Sequence, residues 1–290
     1  MSDGPADKGA LDAAAVEQVE LNAFLNVLFD HAGLDYRGYA LGSLRRRLAR
    51  RMSIENCATI AELQSRMVRD PLVLSRLVRD LSIHVTAMFR DPTFFRALRD
   101  RVLPLLKTYP IFRIWHAGCS SGEEVYSLAI LLQEAGIYHR ARIYATDVSD
   151  PVLHQARQRI MPIEKMREYS TNYLAAGGDR SLSEYYTARY DGAMLREDLA
   201  TNIVFAQHNL ATDGVFTECH LVICRNVMIY FAQDLQNRAL RLFSESLTDL
   251  GFLAIGRKES LRFSMVAGSF APVDEAEKIY RKVTPVGGKE

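Results

Sequence analysis

The spacing of apolar residues predicts helices along the first third of the chain. From Val16 to about Ile83, apolar side chains recur three and four positions apart, which is the period of one face of an α-helix. We therefore predict a helical N-terminal domain over residues 15–85. Residues 1–14 are rich in Gly, Pro, Ala and Asp without an apolar period, so we predict a flexible tail there.

Short apolar runs alternate with helical patterns in the remainder of the chain. Five of these runs have the length and composition of buried strands, at residues 112–117, 142–146, 202–206, 220–224 and 251–255. Helical periods lie between them, for example over residues 122–135 and 234–250. This alternation predicts an α/β fold with a parallel sheet covered on both faces. The last run, residues 278–283, is predicted to pair antiparallel at one edge.

A predicted hairpin interrupts this alternation where a crossover helix is expected. Two strand-like segments flank Asp191 and Gly192, a dipeptide that favours two-residue turns. We predict a small β subdomain over about residues 165–200, inserted into a domain that spans residues 86–285. Residues 286–290 are predicted to form a second flexible tail.

Composition and charge exclude several classes of protein. The 290 residues include 36 Lys and Arg and 35 Asp and Glu, for a net charge of +1, whereas nucleic-acid binders are usually basic. No apolar run approaches the roughly 18 residues needed to span a bilayer. The N-terminus lacks the basic-then-apolar order of a secretory signal, and we predict a cytoplasmic protein. The four cysteines lack metal-ligand spacing, so we predict reduced thiols and no metal.

The turn after the first predicted strand carries a chemical signal. Ala117 to Gly122 connect the strand to a helix that begins with Glu123 and Glu124. Glycines let a ligand approach the backbone closely, but two adjacent carboxylates would repel a pyrophosphate. The same pair is also consistent with simple stabilisation of a helix N-terminus.

An acidic residue at the end of the second predicted strand narrows the choice of ligand. Asp147 falls at the carboxyl edge of the sheet, where such sheets bind ligands, and its carboxylate can accept both hydroxyls of a ribose. This feature indicates a nucleoside without identifying it. Together with Glu124, it favours a cationic nucleoside that lacks phosphates, such as S-adenosylmethionine.

Four motifs resemble those of the CheR-type chemotaxis protein methyltransferases. In chain order they are Trp115–Ser127, Ala145–Ser149, His208–Leu210 and Ile223–Phe231. The resemblance covers about residues 16–285. It implies a Rossmann-like S-adenosylmethionine-dependent methyltransferase domain with a small inserted β subdomain, preceded by an all-α N-terminal domain. It also implies methyl transfer to glutamates on the cytoplasmic helices of chemoreceptors, with S-adenosylhomocysteine as the product.

The resemblance implies roles for individual residues. An ionised glutamate needs no general base, so the implied chemistry depends on positioning. Arg90 is implied to aim the substrate carboxylate through two parallel hydrogen bonds, and Tyr230 to bound the methyl-transfer pocket. Plainer alternatives remain for both, a solvated charge and a half-buried core tyrosine. The implied cofactor-binding residues are His84, Thr86, Arg90, Gly118, Glu123, Glu124, Asp147, Asn209, Leu210, Asn226 and Val227.

Two positions depart from the family pattern. His84 stands where relatives often have asparagine, and Lys258 lies in a segment that commonly reads Gly-His-Ser-Glu-Ser. The histidine can still donate a hydrogen bond, but its charge varies with pH. These changes leave open an alternative function, a non-catalytic regulator that binds S-adenosylmethionine or S-adenosylhomocysteine within a receptor-like signalling complex.

A basic helix in the N-terminal domain is the predicted substrate-docking surface. Its apolar residues share one face, and its arginines are Arg45, Arg46, Arg47, Arg50 and Arg51. The resemblance implies that this domain faces the acidic methylation helices of receptors. A solvated face and a nucleic-acid contact remain as alternatives.

The predicted hairpin bears on a second receptor contact. Some relatives bind the receptor's C-terminal peptide as an extra strand on the inserted β subdomain. The tight turn predicted at Asp191 and Gly192 argues for independence from that peptide.

Overall fold

The computed structural model describes residues 5–81, 86–189 and 192–283, with side chains from Gln18 onward. The chain divides into two compact units. One consists of Met1–Ile83 with Tyr230–Leu235, and the other of His84–Ile229 with Gln236–Glu290.

Helices build the smaller unit, as the apolar spacing predicted. Within residues 5–81 they are α1 (Pro5–Ala32), α2 (Leu41–Ile54), α3 (Ile60–Arg69) and α4 (Pro71–Leu81). The fully buried side chains of this unit include Leu21, Phe24, Leu44, Leu63 and Leu77. Burial of one apolar face per helix is the main source of stability for helices of this length.

Helix α1 begins earlier than the composition indicated. It starts at Pro5, so residues 5–14, predicted to form a flexible tail, are helical here and that prediction was wrong. Alanine has the highest helix propensity, and residues 10–15 contain four alanines. A high helix propensity does not require apolar residues at regular spacing. The apolar spacing therefore did not reveal that residues 5–14 are helical.

Two sheets are present in the described part of the larger unit. The strands are β1 (Phe112–Ala117), β2 (Ala141–Asp147), β3 (Ile160–Pro162), β4 (Tyr186–Arg189), β5 (Gly192–Leu195), β6 (Ile203–Gln207), β7 (Cys219–Cys224), β8 (Leu247–Ile255), β9 (Phe270–Asp274) and β10 (Ile279–Lys282). The main sheet has the order β6-β2-β1-β7-β8-β10-β9. Strands β6, β2, β1, β7 and β8 run parallel, as the alternating pattern predicted.

The order of the main sheet explains where a ligand can bind. Strands β1 and β7 are central neighbours, and the strand order reverses between them. Open α/β sheets bind ligands outside the carboxyl ends of the strands at this kind of reversal. Strand β10 pairs antiparallel with both β8 and β9. The run at residues 278–283 therefore lies inside the sheet, and the prediction that it forms an edge was wrong.

Helices cover the main sheet. They are α5 (Pro92–Ala97), α6 (Leu103–Leu106), α7 (Glu123–Glu134), α8 (Asp150–Gln158), α9 (Met166–Ala175) and α10 (Gln233–Ser246), with a π-helical segment at Leu98–Val102. Helix α7 follows β1 and is buried from Glu123 to Leu132. Its first turn therefore meets the edge of the sheet in an enclosed environment. No helix among the described residues is long and apolar enough to cross a membrane.

The second sheet is antiparallel, with the order β3-β5-β4. Strands β4 and β5 form the predicted hairpin. Gly192, predicted to lie in the turn, instead begins β5 and pairs with Arg189, so that part of the prediction was wrong. Asp191 lies outside the described residues, and the turn type stays a prediction. Strand β3 begins at Ile160, before the predicted boundary at residue 165. Its three residues are too few to show an alternating pattern, and the sequence did not reveal it.

Candidate cofactor-binding site

The loops that follow β1, β2 and β7 converge because a glycine permits close contact. Gly118 has a φ of 72°, a left-handed conformation that favours glycine. A Cβ atom there would lie 2.4 Å from Cγ2 of Val227. The N–H groups of Gly118 and Cys119 both donate to the carbonyl of Thr146, at 2.8 and 2.9 Å. Two predicted cofactor residues, Gly118 and Val227, are thus in direct contact.

Asp147 shapes the loop between β1 and α7. Its Oδ2 accepts a hydrogen bond from the N–H of Ser120 at 2.9 Å, and its Oδ1 accepts one from Ser149 at 3.0 Å. Ser120 adopts a left-handed φ of 52°, which the bond to Asp147 supports. A carboxylate has about four lone-pair positions, so each oxygen of Asp147 retains capacity for one more donor, such as a ribose hydroxyl.

Glu124 is paired within the protein. Its Oε1 lies 3.1 Å from Nε2 of His116, and its Oε2 accepts a hydrogen bond from Nη1 of Arg225 at 2.6 Å. Burial opposes ionisation of Glu124, but Arg225, His116 and Arg90 together lower its pKa to about 2. From the sequence we predicted that the Glu124 carboxylate faces a cationic ligand. In the structure that charge is already balanced by Arg225.

Glu123 has a different environment from its neighbour. Its carboxylate is buried and accepts a hydrogen bond from Oγ of Ser121 at 2.7 Å. Burial raises the pKa of Glu123, because a low-dielectric site disfavours the charged form. The two adjacent acids therefore do not act as a pair.

Arg225 joins three segments of the site and was missed by the sequence analysis. Its side chain is 1% exposed, and its Nη2 lies 2.6 Å from Oδ2 of Asp91. The guanidinium carbon lies 3.9 Å from the centre of the Phe94 ring, and Nη1 donates to the carbonyl of Arg90 at 3.4 Å. With the bond to Glu124, these contacts tie the end of β7 to the start of α7 and to the segment that carries Arg90.

The segment that carries Arg90 is sharply turned. Phe89 and Asp91, on either side of Arg90, have left-handed φ values of 51° and 56°. Such conformations are unusual for residues other than glycine and cluster at functional sites. The N–H of Phe89 donates to Oγ of Ser127 in α7 at 2.8 Å, while Arg225 holds Asp91. Arg90 itself is half-buried between these two fixed points.

Glu259 anchors the loop after β7 and was also missed. It is buried, and its Oε1 accepts N–H groups from Val227 at 3.0 Å and Ile229 at 3.3 Å. Its Oε2 accepts the N–H of Gly256. Burial raises the pKa of Glu259, and the backbone donors act in the opposite direction. The carboxylate therefore links the ends of β7 and β8.

The remaining predicted cofactor residues lie at the ends of neighbouring strands. Asn209 and the buried Leu210 follow β6, and Oδ1 of Asn209 accepts the N–H of Ala211 at 2.9 Å. Asn226 follows β7 with a left-handed φ of 61°. Thr86 is half-buried at the start of a described segment. His84 lies outside the described residues, so its role stays a prediction.

The basic helix α2 exposes only part of its positive charge. Arg46 and Arg50 are exposed, and Arg45 donates to Oε1 of Gln18 at 3.0 Å. Arg51 is 3% exposed and pairs with Glu55 at 3.0 Å and with Asp80 of α4. The prediction that Arg51 docks the substrate was wrong, because this side chain stabilises the packing of the helices.

Arg47 lies beside Tyr230 within the smaller unit. It donates to the carbonyl of Leu81 and to Oγ of Ser43, and its guanidinium carbon lies 5.0 Å from the centre of the Tyr230 ring. The carbonyl of Tyr230 accepts the N–H of Ala40 at 2.8 Å. The role of Tyr230 at the methyl-transfer pocket stays a prediction.

The cysteines and acidic residues show no metal centre in the described part of the chain. No group of three or more His, Cys, Asp and Glu side chains there could hold a metal ion. Cys57, Cys119, Cys219 and Cys224 are all buried free thiols. Burial raises the pKa of Cys119 and Cys224, and raises that of Cys219 to about 12.

Replacing Asp147 with asparagine is expected to raise the Kd for S-adenosylhomocysteine about tenfold or more, through about 1–3 kcal/mol of lost hydrogen bonding. The asparagine amide has only one acceptor oxygen. Its NH₂ group must therefore face the backbone N–H of either Ser120 or Ser149, which is also a donor. Calorimetric titration measures the effect. Asp150→Asn is the matched control, because that carboxylate is 70% exposed. A Kd within about twofold of wild type for Asp147→Asn would contradict the assignment.

Family models and individual known proteins match most of this chain. The model of the CheR methyltransferase SAM-binding domain matches residues 84–276, and that of the CheR all-alpha domain matches residues 19–82. The chain is 46% identical over 264 residues to Cher3 of Pseudomonas putida, covering 91% of this chain and 97% of that protein. It is 32% identical over 223 residues to chemotaxis protein methyltransferase 2 of Pseudomonas aeruginosa, covering 74% and 76%.

Proposed function

This chain belongs to the CheR methyltransferase family, and we propose that it methyl-esterifies glutamate side chains on the cytoplasmic helices of chemoreceptors. Its cofactor is S-adenosylmethionine, as the matched SAM-binding domain indicates. The proposal for the substrate is supported above all by Arg90. This half-buried arginine lies on a turned segment that Arg225 and Ser127 hold at the edge of the candidate cofactor site.

The residues present fit the cofactor. Each oxygen of Asp147 accepts a single backbone N–H and so retains a lone pair for a ribose hydroxyl. At Gly118 the absence of a side chain brings the β1 loop against Val227, which forms a cradle of backbone atoms. When bound, S-adenosylmethionine supplies an electrophilic methyl group on a positively charged sulfonium.

The protein's contribution is to position an acceptor that is already reactive. A glutamate side chain has a pKa of about 4.3, so it is ionised at neutral pH and needs no base. We propose that the Arg90 guanidinium grips one carboxylate through two hydrogen bonds. Fixing the acceptor in this way reduces the entropy that must be lost before transfer.

The exposed arginines of α2 suit an acidic partner. Arg46 and Arg50 are the exposed arginines of this helix, and we propose that they guide the acidic helices of a cytoplasmic receptor domain. Attraction between exposed charges is screened by salt, so receptor methylation should weaken as ionic strength rises. We also propose that the enzyme acts without the receptor's C-terminal peptide.

Incubation with tritiated S-adenosylmethionine and receptor membranes tests the proposed function. We expect label on the receptor that base releases as methanol, as a methyl ester requires. A receptor whose methylation-region glutamates are replaced by glutamine is the matched control and should take up no label. Cofactor binding without ester formation on any receptor would contradict the proposal and indicate a regulator that only binds the nucleoside.

A further inference from the structure

We propose that the loop between β8 and β9, residues 256–269, is a docking surface for an acidic amphipathic helix of the receptor substrate. We call this segment the β8–β9 loop. The inference rests on the proposed function and adds a surface on the larger unit, separate from the arginines of α2. Two large apolar side chains of the β8–β9 loop, Phe263 and Met265, are exposed to solvent.

Phe263 and Met265 have the highest exposures among the large apolar side chains that the structure describes. Phe263 is 83% exposed and Met265 is 90% exposed, whereas the next values are 69% for Ile111 and 68% for Val19. Exposed apolar side chains are common when they occur singly. Two of this size, two residues apart on one loop, present apolar area that a partner can remove from water.

The β8–β9 loop holds these side chains on a structured turn. The N–H of Ser264 donates to the carbonyl of Leu261 at 2.9 Å, and Oγ of Ser264 donates to the same carbonyl at 2.8 Å. The N–H of Arg262 donates to Oγ of Ser260 at 3.1 Å, and Leu261 is only 4% exposed. Because these hydrogen bonds already order the loop, the loop itself loses less conformational entropy when a partner binds.

The β8–β9 loop starts at the edge of the candidate cofactor site. Its first residue, Gly256, follows β8, which runs parallel to β7. A Cβ atom at Gly256 would lie 2.8 Å from the backbone nitrogen of Asn226. Glu259 binds the N–H groups of Val227 and Ile229. From there the loop runs to Phe270, which pairs with Lys282 of β10 at the opposite edge of the sheet. A partner that contacts the loop therefore binds to a segment whose first residues are fixed to the candidate cofactor site.

The charges of the β8–β9 loop favour an acidic partner. Lys258 and Arg262 are exposed, while Glu259 is buried and committed to backbone donors. Arg257 is paired with Glu277 at 2.6 Å. The surface thus combines positive charge with two apolar side chains, and methionine adapts to irregular partner surfaces. An amphipathic helix that carries acids beside apolar residues has the complementary pattern.

The double substitution Phe263→Ser with Met265→Ser tests this surface. We expect kcat/KM for a purified cytoplasmic helical fragment of a receptor to fall about tenfold or more, mainly through a higher KM. The affinity for S-adenosylhomocysteine, measured by calorimetry, should stay within about twofold of wild type. The fragment contains no membrane, so a loss of rate reports contact with protein.

Ile111→Ser is the matched control. Ile111 is 69% exposed but lies just before β1, outside the β8–β9 loop. We expect its kcat/KM to stay within about twofold of wild type. A second double substitution, Lys258→Glu with Arg262→Glu, is expected to lower kcat/KM at low salt. Because salt screens exposed charges, this reduction should disappear as salt is added.

Three outcomes would overturn the inference. If the double serine variant methylates the fragment as fast as wild type, the surface does not dock the substrate while the proposed function stands. If it loses binding to vesicles that contain anionic lipid but keeps its rate on the fragment, the surface contacts membranes instead. If the wild-type enzyme transfers no methyl group to any receptor, the proposed function fails, and this surface fails with it.

Discussion

Replacing Arg90 with alanine is expected to lower kcat for receptor methylation about a hundredfold or more, which corresponds to about 2.7 kcal/mol of lost transition-state stabilisation. The substitution removes the guanidinium proposed to orient the acceptor carboxylate. It leaves the backbone carbonyl that Arg225 contacts at 3.4 Å, so the segment around residue 90 should keep its conformation.

The Arg90 prediction separates positioning from cofactor binding. Calorimetry should show that Arg90→Ala binds S-adenosylhomocysteine with an affinity within about tenfold of wild type. Arg90→Lys is the informative companion, because it keeps the charge but cannot form two parallel hydrogen bonds. We expect its kcat to lie between those of alanine and wild type. Transfer by Arg90→Ala at the wild-type rate would remove this arginine from the mechanism.

Replacing Arg225 with methionine is expected to reduce both transfer and stability. The change removes the Arg225 guanidinium, which is 1% exposed, so Glu124 and Asp91 both lose their ion-pair partner. Breaking a buried ion pair by removing one partner costs about 3–5 kcal/mol. We expect kcat/KM to fall by about a hundredfold or more, because the segment that carries Arg90 loses its anchor. Unfolding can be followed through Trp115, the only tryptophan of the sequence.

A second variant distinguishes the loss of position from a general loss of stability. Combining Arg225→Met with Glu124→Gln removes the buried negative charge, so we expect most of the lost stability to return. Transfer should stay low, because Asp91 and the Arg90 carbonyl still lack their partner. Recovery of both stability and transfer in the double variant would show that Arg225 acts only by neutralising Glu124.

The stability of the Arg225→Met variant should also depend on pH in a defined direction. In the wild type the pKa of Glu124 is lowered to about 2, below its unfolded value. Its contribution to stability is therefore present above about pH 4.5 and is lost as the pH falls towards 2. Without Arg225, the burial of Glu124 disfavours its charged form. The stability deficit of the variant should then grow as the pH rises from about 4 to 7.

The sheet was predictable from local patterns, and so was the position of the loops at the candidate cofactor site. Apolar runs marked β1, β2, β6, β7 and β8, and chain order with alternating helices implied that they run parallel. Gly118 follows β1 and Asp147 ends β2, and both could be singled out because the carboxyl ends of parallel strands must share an edge. These features depend on neighbouring residues along the chain, which is the information that a sequence pattern contains.

The structural features that escaped prediction depend on distant partners. Arg225 follows a strand and gives no local sign that Glu124 and Asp91, more than 100 positions away, enclose it. Glu259 likewise depends on N–H groups in the loop after β7. The burial of Arg51 also depends on distant residues. Arg51 lies on the buried face of α2 with Leu44 and Leu48, and its charge there is balanced by Asp80 of α4.

The four buried cysteines have a practical consequence for studying the partner surface. A thiol reacts with alkylating reagents only as an accessible thiolate, and burial raises the pKa of Cys119, Cys219 and Cys224. Cys57 is buried as well. A cysteine introduced on the β8–β9 loop would therefore be the preferred target of a fluorescent dye or photo-crosslinker, without removal of the native thiols.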